Sequence, residues 1–467
     1  MTADVLLYNT LSRKIEPLKT NLPGEVKLYC CGPTVYNFQH IGNLKTYIFE
    51  DILARTLRRA GYSVKHVMNI TDVGHLVSDG DEGEDKMLVA MKREGKSSHD
   101  IAAYYTDVFF NDCKKLNINR PDVVCKATDH IQEMIELNQM IERNGYAYVA
   151  NGNLYFDVEK FKDYGKLALL DLEKLKAGAR IDVDPHKHSP FDFVLWFTKS
   201  KFENQELQWD SPWGRGYPGW HIECSAMARK HLGDKIDIHC GGIDHIPVHH
   251  TNEIAQTEAA TGVKPWVSVW MHSDFMVINK QKMSKSTGGF ITLNDLIQDG
   301  VSAESYRYFC LTASYRSQLN FSHDALKSAS DTVRKLRSLV ERLFAEASLG
   351  TPTDDKGYKK KFDDALFQDL NTPQALAVLW AVANDKELSA SSKLSLLISF
   401  DDVLGLGIAT WKAATTEVPN EIQQLLDQRI AAKASKNFAE SDRLRDEIQS
   451  RGFKVIDSKE GMSVVRA

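Results

Sequence analysis

Residues 26–70 constrain the fold more than any other stretch of the chain. Val26-Lys27-Leu28-Tyr29-Cys30 reads as a short strand, and Cys31-Gly32-Pro33-Thr34 as a turn marked by its Gly-Pro pair. In the following TYIFEDILARTLRRAGY, Ile48, Ile52, Leu53 and Leu57 recur at helical spacing and Gly61 supplies a stop; Val64 to Ile70 then reads as a second strand. A strand, helix and strand in that order is the unit that builds parallel sheets, so an α/β domain is predicted here.

The rest of the chain is organised around that unit. Its 467 residues are too many for one core and suggest roughly three domains. Ser78 to Lys96 is polar and acidic, and helices are expected from there through Asn144. Between 145 and 210, short runs such as Tyr146-Ala147-Tyr148-Val149, Leu154-Tyr155-Phe156 and Phe193-Val194-Leu195-Trp196-Phe197 are split by Gly, Asn, Asp and Pro, which predicts a partly β module inserted at 115–205. Ile236-Asp237-Ile238-His239 resumes the sheet, and Trp266 to Val277 is strand-rich. Beyond Phe321 apolar residues recur every three or four positions, as in a helical bundle. Residues 413–419 read as a linker, and the tail as one charged helix, KASKNFAESDRLRDEIQSR, with a small hairpin. The expected division is 1–114 with 206–260 for the sheet domain, 115–205 for the insert, 261–325 for a region around Lys282, 326–416 for the bundle and 420–467 for a small C-terminal α+β region.

Composition narrows the class of protein. With 43% hydrophobic and 26% charged residues, the chain has the make-up of an ordinary globular protein. Its N-terminus, MTADVLLYNT, lacks the basic and then apolar run of a signal peptide, and no apolar segment approaches a membrane span, so no membrane partner is expected and the cytoplasm is the predicted location. Seven cysteines, an odd number spread through a large chain, fit reduced thiols better than a disulfide framework. Metal binding or plain burial remains for them. A net charge of -5 gives no overall pull towards nucleic acid, so any such partner must be held by local basic surface.

Three stretches carry chemistry. From Cys224 to Ala255 the chain packs two cysteines, five histidines, four acidic residues and a Gly-Gly pair into CSAMARKHLGDKIDIHCGGIDHIPVHHTNEIA. His249 and Glu253 are four apart, so on a helix they share one face, and a Cys thiolate delivered there would complete most of a zinc site. His40-Ile41-Gly42-Asn43 sits where a turn hands over to a helix start, a location that favours phosphate. Lys282-Met283-Ser284-Lys285-Ser286, followed by Thr287-Gly288-Gly289, reads as a mobile cationic loop able to neutralise a leaving pyrophosphate. Each has a plainer reading, as a solvated turn, a helix entry or a set of core histidines.

Six motifs in order carry a resemblance that covers nearly the whole chain: Cys31-Gly32-Pro33-Thr34-Val35-Tyr36, His40 to Asn43, Asn69-Ile70-Thr71-Asp72, Pro218-Gly219-Trp220-His221-Ile222-Glu223-Cys224, His249-His250 with Asn252-Glu253-Ile254-Ala255, and Lys282 to Ser286. With them the chain resembles the class I aminoacyl-tRNA synthetases, and within these the cysteinyl family. The resemblance implies a Rossmann-like catalytic domain with an inserted connective module, a helical tRNA-binding bundle and a small C-terminal region near the anticodon. It implies ATP-dependent formation of cysteinyl-adenylate and transfer to tRNA(Cys), with ATP and Mg2+ as substrate, one Zn2+ per chain and a monomeric state. Zinc ligands fall on Cys31, Cys224, His249 and Glu253. Catalytic roles fall on His40, Asn43, Lys282 and Lys285, ATP binding on Gly42, Gly241, Gly242, Asp244 and Lys285, and the cysteine pocket on Trp220, His239 and Thr71.

Neighbouring strand residues point to opposite faces, so only one of Cys30 and Cys31 should reach the metal, and the family pattern assigns Cys31. His221, His231, His245 and His250 are read as surface or satisfied core histidines, and Cys113, Cys125 and Cys310 as buried thiols. Two positions depart from the family pattern. Thr251 replaces a glutamate that is not a ligand, and Cys240 replaces a glycine, which is expected to disturb a close backbone approach near the nucleotide. Two rival functions share parts of the pattern. A cysteine:sugar-amine ligase would have the same adenylation half without a full tRNA-binding C-terminal region, and a non-catalytic RNA-binding protein would have no need of His40, Asn43, Lys282 and Lys285.

Overall fold

In the computed structural model, residues 2–73, 86–170, 185–199, 207–278, 281–282, 290–347, 355–412, 419–458 and 461–466 are described. The chain opens with an antiparallel pair, β1 (Leu6–Asn9) and β2 (Lys14–Pro17). The predicted unit follows as β3 (Glu25–Cys30), α1 (Ile41–Arg59) and β4 (Ser63–Ile70). In α1 the apolar stripe faces the sheet, and Arg58 and Arg59 in its last turn complement the negative end of the helix dipole. Next come α2 (Lys86–Glu94), α3 (Ser98–Lys115) and β5 (Val123–Lys126).

β5 departs from the expected run of helices through Asn144. It pairs parallel with β4, Met68 opposite Val124, so a strand of the main sheet lies inside the stretch assigned to the insert. Four residues are too short for periodicity to separate strand from helix, and the vacant edge of β4 decides the matter. After α4 (Ile131–Arg143), the strands β6 (Ala147–Ala150), β7 (Asn153–Phe156), β8 (Phe193–Phe197) and β9 (Tyr217–Pro218) make a separate four-stranded antiparallel sheet.

The main sheet is completed by α5 (Trp220–Leu232), β10 (Ile236–Gly242), α6 (His249–Thr261) and β11 (Val267–Ser273). Its order is β11-β10-β3-β4-β5 with every pair parallel. The order reverses direction between β3 and β10, and the crevice at the carboxyl ends of strands at such a point is where open α/β sheets bind ligands. One face of the sheet, with Leu28, Cys30, Met68 and Cys240, packs on α1, while Tyr29, Cys31 and Val67 share a second core with Ile222 and Cys224 of α5 and Ile254 of α6.

Beyond the sheet lie β12 (Met276–Ile278), β13 (Gln281–Lys282), α7 (Leu293–Gln298), α8 (Ala303–Leu311) and β14 (Leu319–Phe321). A bundle follows: α9 (His323–Glu346), α10 (Tyr358–Phe367), α11 (Thr372–Asn384) and α12 (Ala390–Leu404). The core on the α1 face runs without a break into this bundle. The tail differs from the single charged helix expected. It contains α13 (Asn420–Ala434), α14 (Phe438–Ser450) and a hairpin of β15 (Phe453–Ser458) and β16 (Gly461–Arg466). Lys436 at φ 59° and Asn437, whose side chain caps Glu440 N, turn the chain so that Ile422 and Leu426 meet Ile448 and Phe453. Residues 413–418 of the expected linker lie outside the described residues. No described helix is long and apolar enough to cross a membrane.

Arg307 of α8 joins sheet to bundle. Fully buried, it donates to Leu404 O (2.6 Å), Leu116 O (2.9 Å) and Asp51 Oδ2 of α1 (2.6 Å). Arg307→Met is expected to lower the unfolding free energy by about 1–3 kcal/mol, because it takes one of two guanidinium partners from the buried Asp51 carboxylate, which keeps Arg55, and removes the donor to the Leu404 and Leu116 carbonyls; urea denaturation measures this.

Candidate metal centre and phosphate-binding turn

Glu253 is the centre of the cluster. Helix α6 begins at His249, so His249 and Glu253 stand one turn apart on a shared face, with Nε2 and Oε1 3.1 Å from each other. Cys224 comes from α5, and Cys31 follows directly on β3, where its N–H donates to Cys240 O (3.1 Å) on β10. The four ligand atoms all lie within 4.8 Å of one another, and all four residues are buried.

The fit to a cation is chemical as well as geometric. Glu253 Oε1 is buried and has no hydrogen-bond partner, a costly state for a carboxylate oxygen that a bound cation relieves. Burial pushes the Cys31 thiol well above its ordinary range. Cys224 is raised too: its hydrogen bond with Cys31 pulls it down, but burial and the Glu253 and Glu223 carboxylates push it up. Two sulfurs, an imidazole nitrogen and a carboxylate oxygen are a donor set suited to zinc.

A second set, Cys31, His239, His250 and Glu253, is equally compact. His239 Nε2 already binds Glu253 Oε2 at 3.0 Å, whereas Oε1, which lacks a hydrogen-bond partner, is the oxygen nearest His249. A cation held by Cys31, Cys224, His249 and Glu253 therefore satisfies the idle oxygen and leaves His239 to orient the carboxylate. Further histidines brace the ligands. His221 Nδ1 is 3.0 Å from His249 Nδ1, His250 Nε2 is 3.4 Å from Cys31 Sγ, and His250 Nδ1 meets His272 Nε2 at 2.8 Å. The run of contacts ends on the Thr10 hydroxyl, 2.7 Å from His272 Nδ1. Burial lowers His221 to about 3 and holds His250 and His272 well below the usual imidazole range, so these rings are neutral.

Sequence reasoning passed over this support. His221 and His250 are core histidines, as their plain reading had it, but they touch the ligands. His221 could have been found, because it precedes Cys224 by three residues on one helix face. His272 could not, since only the pairing of β11 with β10 brings it near. Tyr29 and Trp270 were passed over as well: Tyr29 meets the His239 ring edge-on at 5.0 Å and Trp270 stacks on it at 4.6 Å. Trp220 stacks on His249 at 4.3 Å. Thr71 lies at the end of β4, its hydroxyl accepting from Asn69 Nδ2 at 3.2 Å and its N–H donating to Pro33 O at 3.1 Å.

The turn expected to bind phosphate is the start of α1. His40 is the N-cap, with Nδ1 accepting from Asn43 N at 3.0 Å, and a Cβ on Gly42 would press on the His40 ring at 3.0 Å. Gly241 and Gly242 end β10 on the other side of the switch point; a Cβ on Gly241 would stand 2.7 Å from His245 Nδ1 and 2.8 Å from His250 Cε1. Asp244 follows, exposed, in the short 3-10 helix Ile243–His245. Lys282 lies on β13, opposite Val277. Lys285 is outside the described residues.

Cys240 stands differently from its expectation. Strand alternation turns its side chain to the α1 face, fully buried beside Cys30, so the thiol does not enter the crevice that Gly241 borders.

Comparison with known proteins places these features. Residues 17–331 match the family described as tRNA synthetases class I (C) catalytic domain. The chain is 49% identical to the cysteine–tRNA ligase of Treponema denticola, covering 97% of each protein. It is 46% identical to cysteine–tRNA ligase 1 of Burkholderia lata, over 97% of this chain and 95% of that one. Among solved structures, Mycobacterium tuberculosis methionyl-tRNA synthetase in complex with methionyl-adenylate shares the fold, with a TM-score of 0.56 at 15% identity over 86% of this chain and 94% of that one.

Two outcomes follow from the geometry. The native protein is expected to purify with bound metal and Cys224→Ser with almost none, as read by elemental analysis, while the variant's circular dichroism stays native. Cys240→Gly is expected to lose about 1–3 kcal/mol of stability from the emptied core position, with the Michaelis constant for ATP unchanged.

Proposed function

The chain belongs to the class I (C), or cysteinyl, tRNA synthetase family, and from that premise we propose that it activates L-cysteine with ATP and charges tRNA(Cys). The observation that carries the reading is the buried Cys31, Cys224, His249 and Glu253 cluster, set at the switch point of a parallel sheet whose first helix starts with His40-Ile41-Gly42-Asn43. Full-length similarity to cysteine–tRNA ligases, including the C-terminal region, favours tRNA over a sugar amine as acceptor.

In the first step a cysteine carboxylate oxygen attacks the α-phosphorus of ATP, forming a C–O–P bond as the bond to the departing pyrophosphate breaks. Positioning and charge stabilisation dominate such a transfer. His40 and Asn43 hold the triphosphate at the positive end of α1, and Gly42 lets the backbone approach it closely. Gly241, Gly242 and Asp244 receive the adenosine. Lys282 and Lys285 offset negative charge on the pyrophosphate, which enters as the Mg2+ complex of ATP. In the second step the terminal 3′ adenosine hydroxyl of tRNA takes the cysteinyl group and AMP leaves.

Serine differs from cysteine by oxygen for sulfur, a change that an apolar pocket separates only about ten- to two-hundredfold. Bound Zn2+ would supply a soft Lewis acid for the cysteine thiolate that a serine hydroxyl cannot match. Trp220, His239 and Thr71 line the amino-acid side of the crevice, with His239 fixing the Glu253 carboxylate. The 326–416 bundle and the 420–467 region supply surface for the tRNA, and the protein works as a cytoplasmic monomer.

Cysteine-dependent exchange of pyrophosphate into ATP tests the reading. Exchange is expected with cysteine and not with serine, and its absence in metal-loaded protein overturns the proposal. Lys285→Ala is expected to slow exchange about a hundredfold or more at an unchanged Michaelis constant for cysteine, the signature of a group that acts on the leaving pyrophosphate in the transition state.

A further inference from the structure

Helix α1 delivers the His40–Asn43 turn, and two hydrogen bonds to a segment far along the chain hold its start. Ile41 N–H donates to Ile291 O at 2.8 Å, and Ile41 C=O accepts from the Tyr306 hydroxyl at 2.6 Å. Both partners belong to the segment that follows the Lys282–Ser286 motif: Ile291 directly precedes Thr292, the N-cap of α7, and Tyr306 is on α8. The same segment adds Phe290, edge-on to the His40 ring at 5.9 Å, and a bridge between His40 and Thr292.

Tyr306 acts where a carbonyl already has an intrahelical partner. Inside a helix the Ile41 carbonyl accepts from the residue four positions on, so a second donor is not needed to satisfy it. The hydroxyl instead fixes the direction of that peptide unit and with it the first turn. The next residue, Arg307, grips Asp51 at 2.6 Å, ten residues and about 15 Å further along α1. Two consecutive residues of α8 thus hold α1 at two points, which defines its axis. From the other side Lys45 Nζ, one turn into α1, donates to Asp274 O at 2.7 Å and Ser273 Oγ at 3.1 Å, on the chain entering the Lys282 region.

We propose that Tyr306 is a positioning residue for adenylate formation: through its hydroxyl on the Ile41 carbonyl, it sets the His40–Asn43 turn against residues 290–292, so that the turn meets the triphosphate in the orientation the transfer needs. This rests on the adenylation reading above. Tyr306 touches no substrate. It acts through the peptide that precedes Gly42, and a displacement of that turn lowers the rate of the chemical step more than it lowers cysteine binding.

Tyr306→Phe removes one oxygen and keeps the ring that fills the core. Tyr308→Phe is the control, since Tyr308 is on the same helix and its hydroxyl accepts from Trp380 Nε1 at 3.0 Å on the bundle side. Both variants are assayed for cysteine-dependent ATP–pyrophosphate exchange well below the lower of their melting temperatures. The expected result is roughly a three- to tenfold fall in kcat, what one lost hydrogen bond gives, for Tyr306→Phe alone, with the Michaelis constant for cysteine and the metal content unchanged. An unchanged kcat for Tyr306→Phe, or an equal fall in both variants, overturns the proposal and leaves the adenylation reading intact. Absence of exchange in the native protein overturns the adenylation reading and this proposal with it.

Discussion

The parallel pairing of β3 with β10 is the constraint on which the rest depends. These strands are far apart in the chain, and their contact, Tyr29 opposite His239 and Cys30 opposite Cys240, places the reversal of strand order between them. Alternation along each strand then sorts the chemistry by face. Cys30 and Cys240 go to the α1 side and are filler in an apolar core, while Cys31, Tyr29 and His239 go to the side where α5 and α6 wait. One slipped residue would exchange the two sets of thiols.

On that second side the protein gathers an unusual amount of polarity inside a sealed space. His221, His239, His249, His250 and His272 are all nearly or wholly without exposure, as is Glu253. Burial keeps the His221, His250 and His272 rings neutral, and neutral imidazoles can both donate and accept, which is how one run of contacts leads from Thr10 through His272 and His250 to Cys31. The network leaves Glu253 Oε1 as its open point. A buried polar network with one carboxylate oxygen lacking a hydrogen bond is unfavourable by itself, and the donor set around that oxygen is compatible with a cation.

A different set of buried charges fastens the sheet to the bundle. Arg307 and Arg55 share Asp51, Arg55 also reaches Asp402 O at 2.9 Å, and Asp401 receives the N–H groups of Leu406, Gly407 and Ile408 in the turn after α12. Gly405, at φ 68°, leaves room there for the Arg307 guanidinium. Because Tyr306 and Arg307 are neighbours, the contact that docks the bundle and the contact that steadies the His40 turn belong to one helix.

Much of this was legible from residues alone, for reasons that are local. The spacing of Ile48, Ile52, Leu53 and Leu57 marks α1, the turn residues mark its start, and a four-residue step along a helix brings His249 over Glu253. The break at Lys436 was hidden because a charged, helix-forming run is continuous in sequence and only the shared core of Ile422, Leu426, Ile448 and Phe453 makes the chain turn. β5 was hidden because its partner edge, not its own four residues, makes it a strand. By itself the sequence determined the first strand–helix–strand unit, the His249–Glu253 pair and the ordered motifs. Spacing could not bring Cys31 to Cys224, which only the family resemblance had suggested; the tertiary structure placed them together, and it alone decided that His272 braces His250 and that Cys240 faces away from the crevice. Periodicity reports which face of an element is apolar, but which element lies against that face depends on strand order, a property of the whole sheet.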